Sequence, residues 1–153
     1  MRAGIGSAAQ GFDPGRVLML GGVKVPGVWG LRGAGDGDVL LRATGDALLG
    51  AAGLGDLADH ERAEEADAPS AARVAECIVK LAARGCAVVH VDAVLHTDRA
   101  EIRAERAAMA ARMASLLGID AGAVNVKTAP AEAGALGADG VGALVIATVG
   151  EAS

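Results

Sequence analysis

The chain has 153 residues and a formal net charge of −5, with 52% hydrophobic and 22% charged residues, which fits a single domain over 1–153 with a buried core. The acidic balance, one Trp, one Phe and no Tyr disfavour nucleic-acid binding, which needs basic charge and aromatic rings. No apolar run approaches the ~20 residues of a membrane span, residues 1–15 lack a secretory signal, and the two cysteines form no CxxC pair, so we expect a cytoplasmic protein.

The first half of the chain predicts a hairpin and then a helix. Residues 17–28 are typical of two short strands around Gly21 and Gly22, because a Gly-Gly pair accepts the positive φ of a tight turn. Residues 38–54 predict a helix whose first turn Asp38 caps.

The remaining elements alternate between helices and strands. They are an acidic, mobile loop over 59–69, a helix over 71–84 capped by Ser70, a strand over 87–96, a helix over 99–118, and strands over 124–129 and 142–149. This order predicts an α/β domain with a mixed sheet whose helices cover one face. Because the other face is apolar too, we expect an oligomer.

Five segments stand in an order and spacing that is typical of one family. They are MRAGIG, LGGVKVP, DGDVLL, GDALLGAAGLGDL and VNVK, of which residues 45–56 are the most specific. In these the chain resembles the methylerythritol cyclodiphosphate synthases of isoprenoid biosynthesis. The resemblance implies a homotrimer around a threefold axis, with a small-molecule cleft between subunits. It also implies zinc and a second divalent cation on the diphosphate of a cytidylylated substrate, which expels CMP as the ring closes.

Several positions differ from the family's pattern. Ala8, Gln10 and Arg42 stand where the resemblance places the zinc ligands. A methyl group cannot coordinate a metal, an amide is a poor zinc ligand, and a guanidinium is a cation. Glu101 replaces a Lys of the cytosine loop, whereas Glu132, a second-cation ligand in the family, is retained. We therefore predict no metal cofactor and no useful rate of cyclodiphosphate formation.

Arg42 lies one helical turn from both Asp38 and Asp46, and two interpretations stay open. One is a charge ladder along a helix face. The other is a catalytic role, in which the guanidinium replaces the metal as a fixed cation for a carboxylate or phosphate. Gln10 and Ser7 would then add neutral hydrogen bonds.

The other candidates come from the resemblance or from their setting. Asp36 is retained from the family, and His60 lies in the acidic loop that covers the substrate there, so both are catalytic candidates; the alternative for His60 is a solvated side chain. The ligand-binding candidates are Ser7, Gln10, Asp38, Asp46, Asp56 and Glu132. Structural alternatives stay open, with Asp46 pairing with Arg42 and Asp56 capping the turn after Gly55.

Two further groups have no assigned role. His90, Asp92 and His96 alternate onto one face of a strand, which permits a metal or acid–base site. Residues two apart on a strand are about 6.6 Å apart, so these side chains do not converge by themselves. Asp139 stands where the family has an Arg facing the threefold axis, and three carboxylates there would repel anions.

Three functions stay open at this point. The first is a repurposed, metal-independent cleft, such as that of a lyase or cyclase of specialised metabolism, in which Arg42, Gln10, Asp36 and His60 converge. The second is a non-catalytic binding or regulatory subunit with Arg42 satisfied internally. The third is an authentic synthase with unusual ligands.

Overall fold

The computed structural model describes residues 1–133 and 139–153. Over these ranges a mixed sheet carries the helices on one side, as the sequence predicts. The strands and helices are β1 (Arg2–Leu20), β2 (Val23–Leu31), α1 (Val39–Ala52), α2 (Ser70–Ala83), β3 (Cys86–His96), α3 (Ala100–Ala104), α4 (Arg106–Leu117), β4 (Val124–Ala129) and β5 (Gly140–Glu151). No helix in the described part of the chain is both long enough and apolar enough to cross a bilayer.

The strand order in the sheet is β2-β1-β5-β3-β4. Only β3 and β4 run parallel among these pairs; the other neighbours are antiparallel. The long strand β1 pairs with β5 along its first half, from Arg2 to Gly11, and with β2 along its second half. β1 therefore belongs both to the central part of the sheet and to the hairpin with β2.

Glycines on β1 let α1 lie directly on the sheet. A Cβ atom on Gly4 would stand 2.1 Å from the carbonyl oxygen of Ala47, and one on Gly6 would stand 1.8 Å from that of Ala43. Such distances are far inside van der Waals contact, so only glycine permits this approach. Even-numbered residues at the start of β1 therefore face α1, and odd-numbered ones face away.

The two faces of the sheet differ in exposure. The face toward the helices holds the core, including Val91, Val145 and Leu95, all fully buried. The opposite side, here called the open face, carries Ile5 and its β5 register partner Ile146, which are 64% and 47% exposed. The rest of the open face includes Ser7, Asp92, Val94 and Leu144.

The structure corrects three local expectations. The hairpin is confirmed, but β1 already begins at Arg2, because pairing with β5 makes a strand of a Gly- and Ala-rich segment with weak strand preference. The helix predicted over 99–118 is two helices, which meet at Glu105. The acidic loop contains short 3-10 turns at Leu57–Asp59 and Ala63–Glu65. Its mobility stays a prediction.

Candidate functional site

Asp38 is a structural carboxylate at the start of α1. It accepts hydrogen bonds from the backbone N–H groups of Leu41 at 3.0 Å, Gly21 at 3.0 Å and Gly22 at 2.8 Å. It caps α1 as predicted and also ties the β1–β2 turn to that helix. Burial raises the pKa of Asp38 to about 6, while the backbone donors pull it back. Since the residue is only 1% exposed, this placement speaks against the predicted ligand-binding role.

Asp36 reaches across the chain to the start of α2. Its carboxylate accepts from the hydroxyl of Ser70 at 2.7 Å and from the backbone N–H of Ser70 at 3.3 Å. Ser70 is the first residue of the helix and Pro69 precedes it, so the cap predicted for Ser70 is supplied instead by Asp36. These bonds give Asp36 a structural role, and its catalytic role stays a prediction.

Arg42 pairs with a residue of the acidic loop. Its Nη1 donates to Oε1 of Glu61 at 2.6 Å, with the two side chains 36% and 29% exposed. The simple ladder from Asp38 through Arg42 to Asp46 does not form, because Asp38 binds Gly21 and its neighbours instead. Within the single chain Arg42 is therefore satisfied internally, the arrangement that the binding-subunit hypothesis predicts.

Asp46 lies close to this ion pair. Its carboxylate accepts the backbone N–H of Leu57 at 2.8 Å. Burial raises the pKa of Asp46, whereas the Leu57 N–H and the charge of Arg42 lower it. Asp46 thus holds the turn that follows α1. The positive charge of Arg42 acts on Asp46, although the two residues form no direct salt bridge in the described structure.

The turn after Gly55 positions His60. The Asp56 carboxylate accepts the backbone N–H of Asp59 at 3.1 Å, and the Asp59 carboxylate accepts the backbone N–H of Asp56 at 3.2 Å, so the predicted cap is confirmed. His60 follows this turn, with its Nε2 2.8 Å from the carbonyl oxygen of Leu54. If Nε2 carries the proton, Nδ1 can accept a hydrogen bond from a ligand. The catalytic role of His60 stays a prediction.

Ser7 and Gln10 lie on opposite faces of β1. Ser7 is on the open face with Ile5, whereas Gln10 is on the helix face. The Gln10 amide lies beside Gly33, where a Cβ would stand 3.2 Å from its Nε2. The loop that contains Gly33 is held by Arg16, whose Nη1 donates to the Gly33 carbonyl at 2.8 Å. The structure thus separates Ser7 from Gln10, and the predicted hydrogen-bonding role of the two residues beside Arg42 stays a prediction.

The strand trio shares one face, as predicted, but its central member is already paired. Asp92 accepts from Lys127 at 2.5 Å and from Asn125 at 3.0 Å, and these bonds hold the pKa of Asp92 below its usual range. Across residues 1–133 and 139–153, no three or more His, Cys, Asp or Glu side chains are grouped to hold a metal ion. Glu132 and Asp139 are both exposed.

The donor set does not fit the zinc ion that the resemblance implies. Gly6 faces Ala43 and Gly4 faces Ala47, so the next helix-facing residue of β1, Ala8, meets the first turn of α1, near Arg42. This place offers a methyl group, the Gln10 amide and a guanidinium that is already paired with Glu61. None of these is a normal zinc ligand.

Comparisons with known proteins show the family. The YgbB family matches residues 1–150. The 2-C-methyl-D-erythritol 2,4-cyclodiphosphate synthase of Bordetella petrii is 40% identical over 99% of this chain and 97% of its own. The synthase of Desulfosudis oleivorans is 44% identical over 93% of this chain and 84% of its own. A solved synthase structure, described as the CDP-bound form, superposes with a TM-score of 0.86 at 26% identity, over 97% of this chain and 100% of that one.

The fold and these likenesses define an α/β protein of the cyclodiphosphate-synthase type. The chain belongs to the YgbB family. The resemblance read from the sequence is thereby confirmed. Similarity across nearly the whole length favours the authentic-synthase hypothesis over a repurposed lyase.

Two side-chain contacts of the site could not be predicted from the sequence. The pairing of Glu61 with Arg42 spans 19 positions of the chain. The sequence predicts that Ser70 caps its own helix, whereas its hydroxyl bonds to Asp36, 34 positions away. The opposite charges of Arg42 and Glu61 are compatible with pairing but do not predict it. No local sequence pattern indicates the contact between Asp36 and Ser70.

Proposed function

We propose that the chain is a cyclodiphosphate synthase with unusual ligands, acting on a cytidylylated diphosphate in a cleft between subunits. The observation that supports this is the 40% identity to a curated synthase across 99% of the chain. The CDP-bound form of a similar structure supports the nucleotide-diphosphate class of ligand. A cytoplasmic setting belongs to this proposal as well.

In this proposal Arg42 supplies positive charge where the metal ligands are missing. When a diphosphate enters, its oxygens compete with the carboxylate of Glu61 for the guanidinium fork. Gln10 stands on the helix face of β1 and offers an amide N–H donor to a phosphate oxygen. Both groups bind and orient the anion, and neither needs to change its protonation state to do so.

A homotrimer forms part of the same proposal. The open face presents Ile5 and Ile146 side by side, and both are more than a third exposed in the single chain. A sheet that is apolar on its open side gains free energy when further copies cover it. Assembly of this kind would also place a cleft between neighbouring subunits.

The test is turnover of the cytidylylated substrate, followed by phosphorus NMR. We expect CMP and a cyclic diphosphate, with activity that survives a chelator. Arg42→Ala should lower the rate at least tenfold while circular dichroism shows an intact fold, and Arg84→Ala, a change at a remote exposed arginine, should act as wild type. No CMP release with or without added divalent metal would contradict synthase activity.

A second candidate, a metal-independent binding or converting protein that does not make cyclodiphosphate, is favoured by one observation. Arg42 is already neutralised by Glu61 within the chain, which weakens an anion site built on it. If this candidate is correct, calorimetry should detect CDP binding without turnover. Glu61→Gln should then tighten that binding, because it frees the guanidinium.

A further inference from the structure

A groove of about 360 Å³ runs between α4 and β4. Its strand side is formed by Val124, Asn125 and Val126, and its helix side includes Arg103 and Arg106. β4 is the last strand in the order of the sheet, so the groove lies at a lateral edge of the molecule. Another chain can approach the protein at such an edge.

Arg103 and Arg106 bring positive charge to this groove. Nη1 of Arg103 donates to Oγ1 of Thr128 at 2.7 Å, and Nε of Arg106 donates to the carbonyl oxygen of Arg103 at 3.0 Å. A guanidinium carries five N–H donors, so most of them remain for a partner. In the part of the chain that the structure describes, neither arginine forms a salt bridge, although Glu105 stands between them in the sequence. The groove therefore offers two cations to a carboxylate-bearing partner.

The acidic loop is fastened to the helix layer by two of its carboxylates. Glu61 binds Arg42 on α1 at 2.6 Å, and Glu65 binds Arg73 on α2 at 3.1 Å. Arg73 is buried, with 7% of its surface exposed, so the second ion pair anchors the loop close to the core. These two pairs fix the backbone of the loop around its short turn at Ala63–Glu65.

Two other carboxylates of the acidic loop have no such contact. Glu64 and Asp67 are both exposed. Within residues 1–133 and 139–153, no salt bridge engages either side chain. Because the neighbouring ion pairs hold the backbone, the loop presents these two negative charges in a defined arrangement, which lowers the entropy cost of binding a partner.

The basic groove and the free carboxylates belong to different parts of one chain. The acidic loop is attached to α1 and α2, and α1 packs on β1 and β5, whereas the groove borders β4. Among the described residues, no ion pair joins the two surfaces within a single chain. A contact between copies that takes one surface from each is heterologous, and such contacts can close into a ring.

From this complementarity we infer that Glu64 and Asp67 of one copy bind Arg103 and Arg106 of the next copy in the groove. Carboxylates and guanidinium groups form strong charge-assisted hydrogen bonds, and the opposite orientation would bring like charges together. The ion pairs therefore set how neighbouring copies are oriented, whereas the open face contributes apolar contact. This inference rests on the homotrimer of the proposed function and names residues that orient its subunits.

The test is charge reversal, with the oligomeric state measured by analytical ultracentrifugation. Arg103→Glu/Arg106→Glu and Glu64→Arg/Asp67→Arg should each raise the dissociation constant of the trimer by about tenfold or more, while circular dichroism shows an intact fold. The chain with all four changes should return to near the wild-type value, because both surfaces are reversed together.

The controls are Lys24→Glu and Glu76→Arg, which reverse exposed charges outside both surfaces and should assemble as wild type. An unchanged dissociation constant in both double variants, or no recovery in the chain with four changes, would overturn the inference while the wild type remains a trimer. A monomeric wild type would overturn it together with the proposed homotrimer. If the expected effects appear in a chain without turnover, the inference stands and only the proposed catalysis fails.

Discussion

At the scale of single residues, Asp38 joins two parts of the fold through one buried carboxylate. Three backbone N–H groups converge on it, from Gly21, Gly22 and Leu41. Their bonds offset part of the cost of removing the charge from water, but not all of it, since burial still raises the pKa of Asp38 to about 6. The charged form is thus less favourable in the folded protein than in the unfolded chain.

This shift predicts a pH dependence of stability. Because the folded pKa lies above the ordinary value of 3.8, stability falls as pH rises from 3.8 to about 6 and then levels off, a loss of about 3 kcal/mol from this group. At pH 4, Asp38→Asn should have a lower free energy of unfolding than wild type. Its amide NH₂ would face a backbone N–H donor, and this mismatch costs about 1–3 kcal/mol. That gap should shrink as the pH approaches 7.

Urea unfolding at several pH values measures the gap. Asp13→Asn is the matched control, because Asp13 accepts a backbone N–H from Gly15 at the exposed end of the hairpin. Its gap to wild type at each pH gives the effect of losing one carboxylate outside the buried cap. A constant gap for Asp38→Asn would contradict the assignment of the raised pKa to this carboxylate.

At the scale of elements, the contact between β1 and α1 depends on the absence of side chains. Gly4 and Gly6 stand two residues apart and face successive turns of the helix. The close approach brings α1 down onto the sheet, and Leu48 and Leu49 of that helix are fully buried. The same approach sets the distance between Ala8 on β1 and the first turn of α1, and hence the shape of the candidate site.

Replacement of Gly6 by Ala should separate these elements. The new Cβ would lie 1.8 Å from the Ala43 carbonyl oxygen, which is backbone and cannot rotate away. We expect a loss of about 3 kcal/mol or more in the free energy of unfolding, measured by chemical denaturation. Gly122→Ala, at a position with open space around it, should change stability by less than about 1 kcal/mol. Similar values for the two variants would refute the close-packing argument.

At the scale of the whole molecule, the open face distinguishes a single chain from an assembly. Ile5 and Ile146 are register partners on neighbouring strands and form one apolar patch. Asp92 and Lys127 lie on the same face and neutralise each other. A patch of apolar side chains beside a neutral ion pair suits contact with another copy of the same acidic chain.

A charge placed in this patch should prevent the proposed trimer from forming. Ile146→Asp would bury three carboxylates in the assembly, a cost that a hydrophobic contact does not offset. Sedimentation analysis should show trimers for wild type and monomers for the variant. Val79→Asp, at an exposed position on α2, should remain trimeric. A trimeric Ile146→Asp, or a monomeric wild type, would contradict the proposal.

Much of the architecture follows from local patterns. The helix over 38–54, its Asp38 cap and the hairpin around Gly21 and Gly22 all agree with the structure, because capping and turn chemistry act between near neighbours. The site was less predictable. The sequence indicates that Arg42 is a candidate site residue, but its contact with Glu61 depends on how the acidic loop packs against α1.

The amino-acid sequence by itself determined the family, the order of the elements and the unusual residues at 8, 10 and 42, because spacing and residue identity are properties of the chain. Tertiary structure alone decided that β1 extends to Arg2, that Ser7 and Gln10 face opposite sides, and that Asp36 serves α2. The physical reason is that strand pairing and side-chain partners across 19 or 34 positions gain their free energy only when the chain has closed on itself.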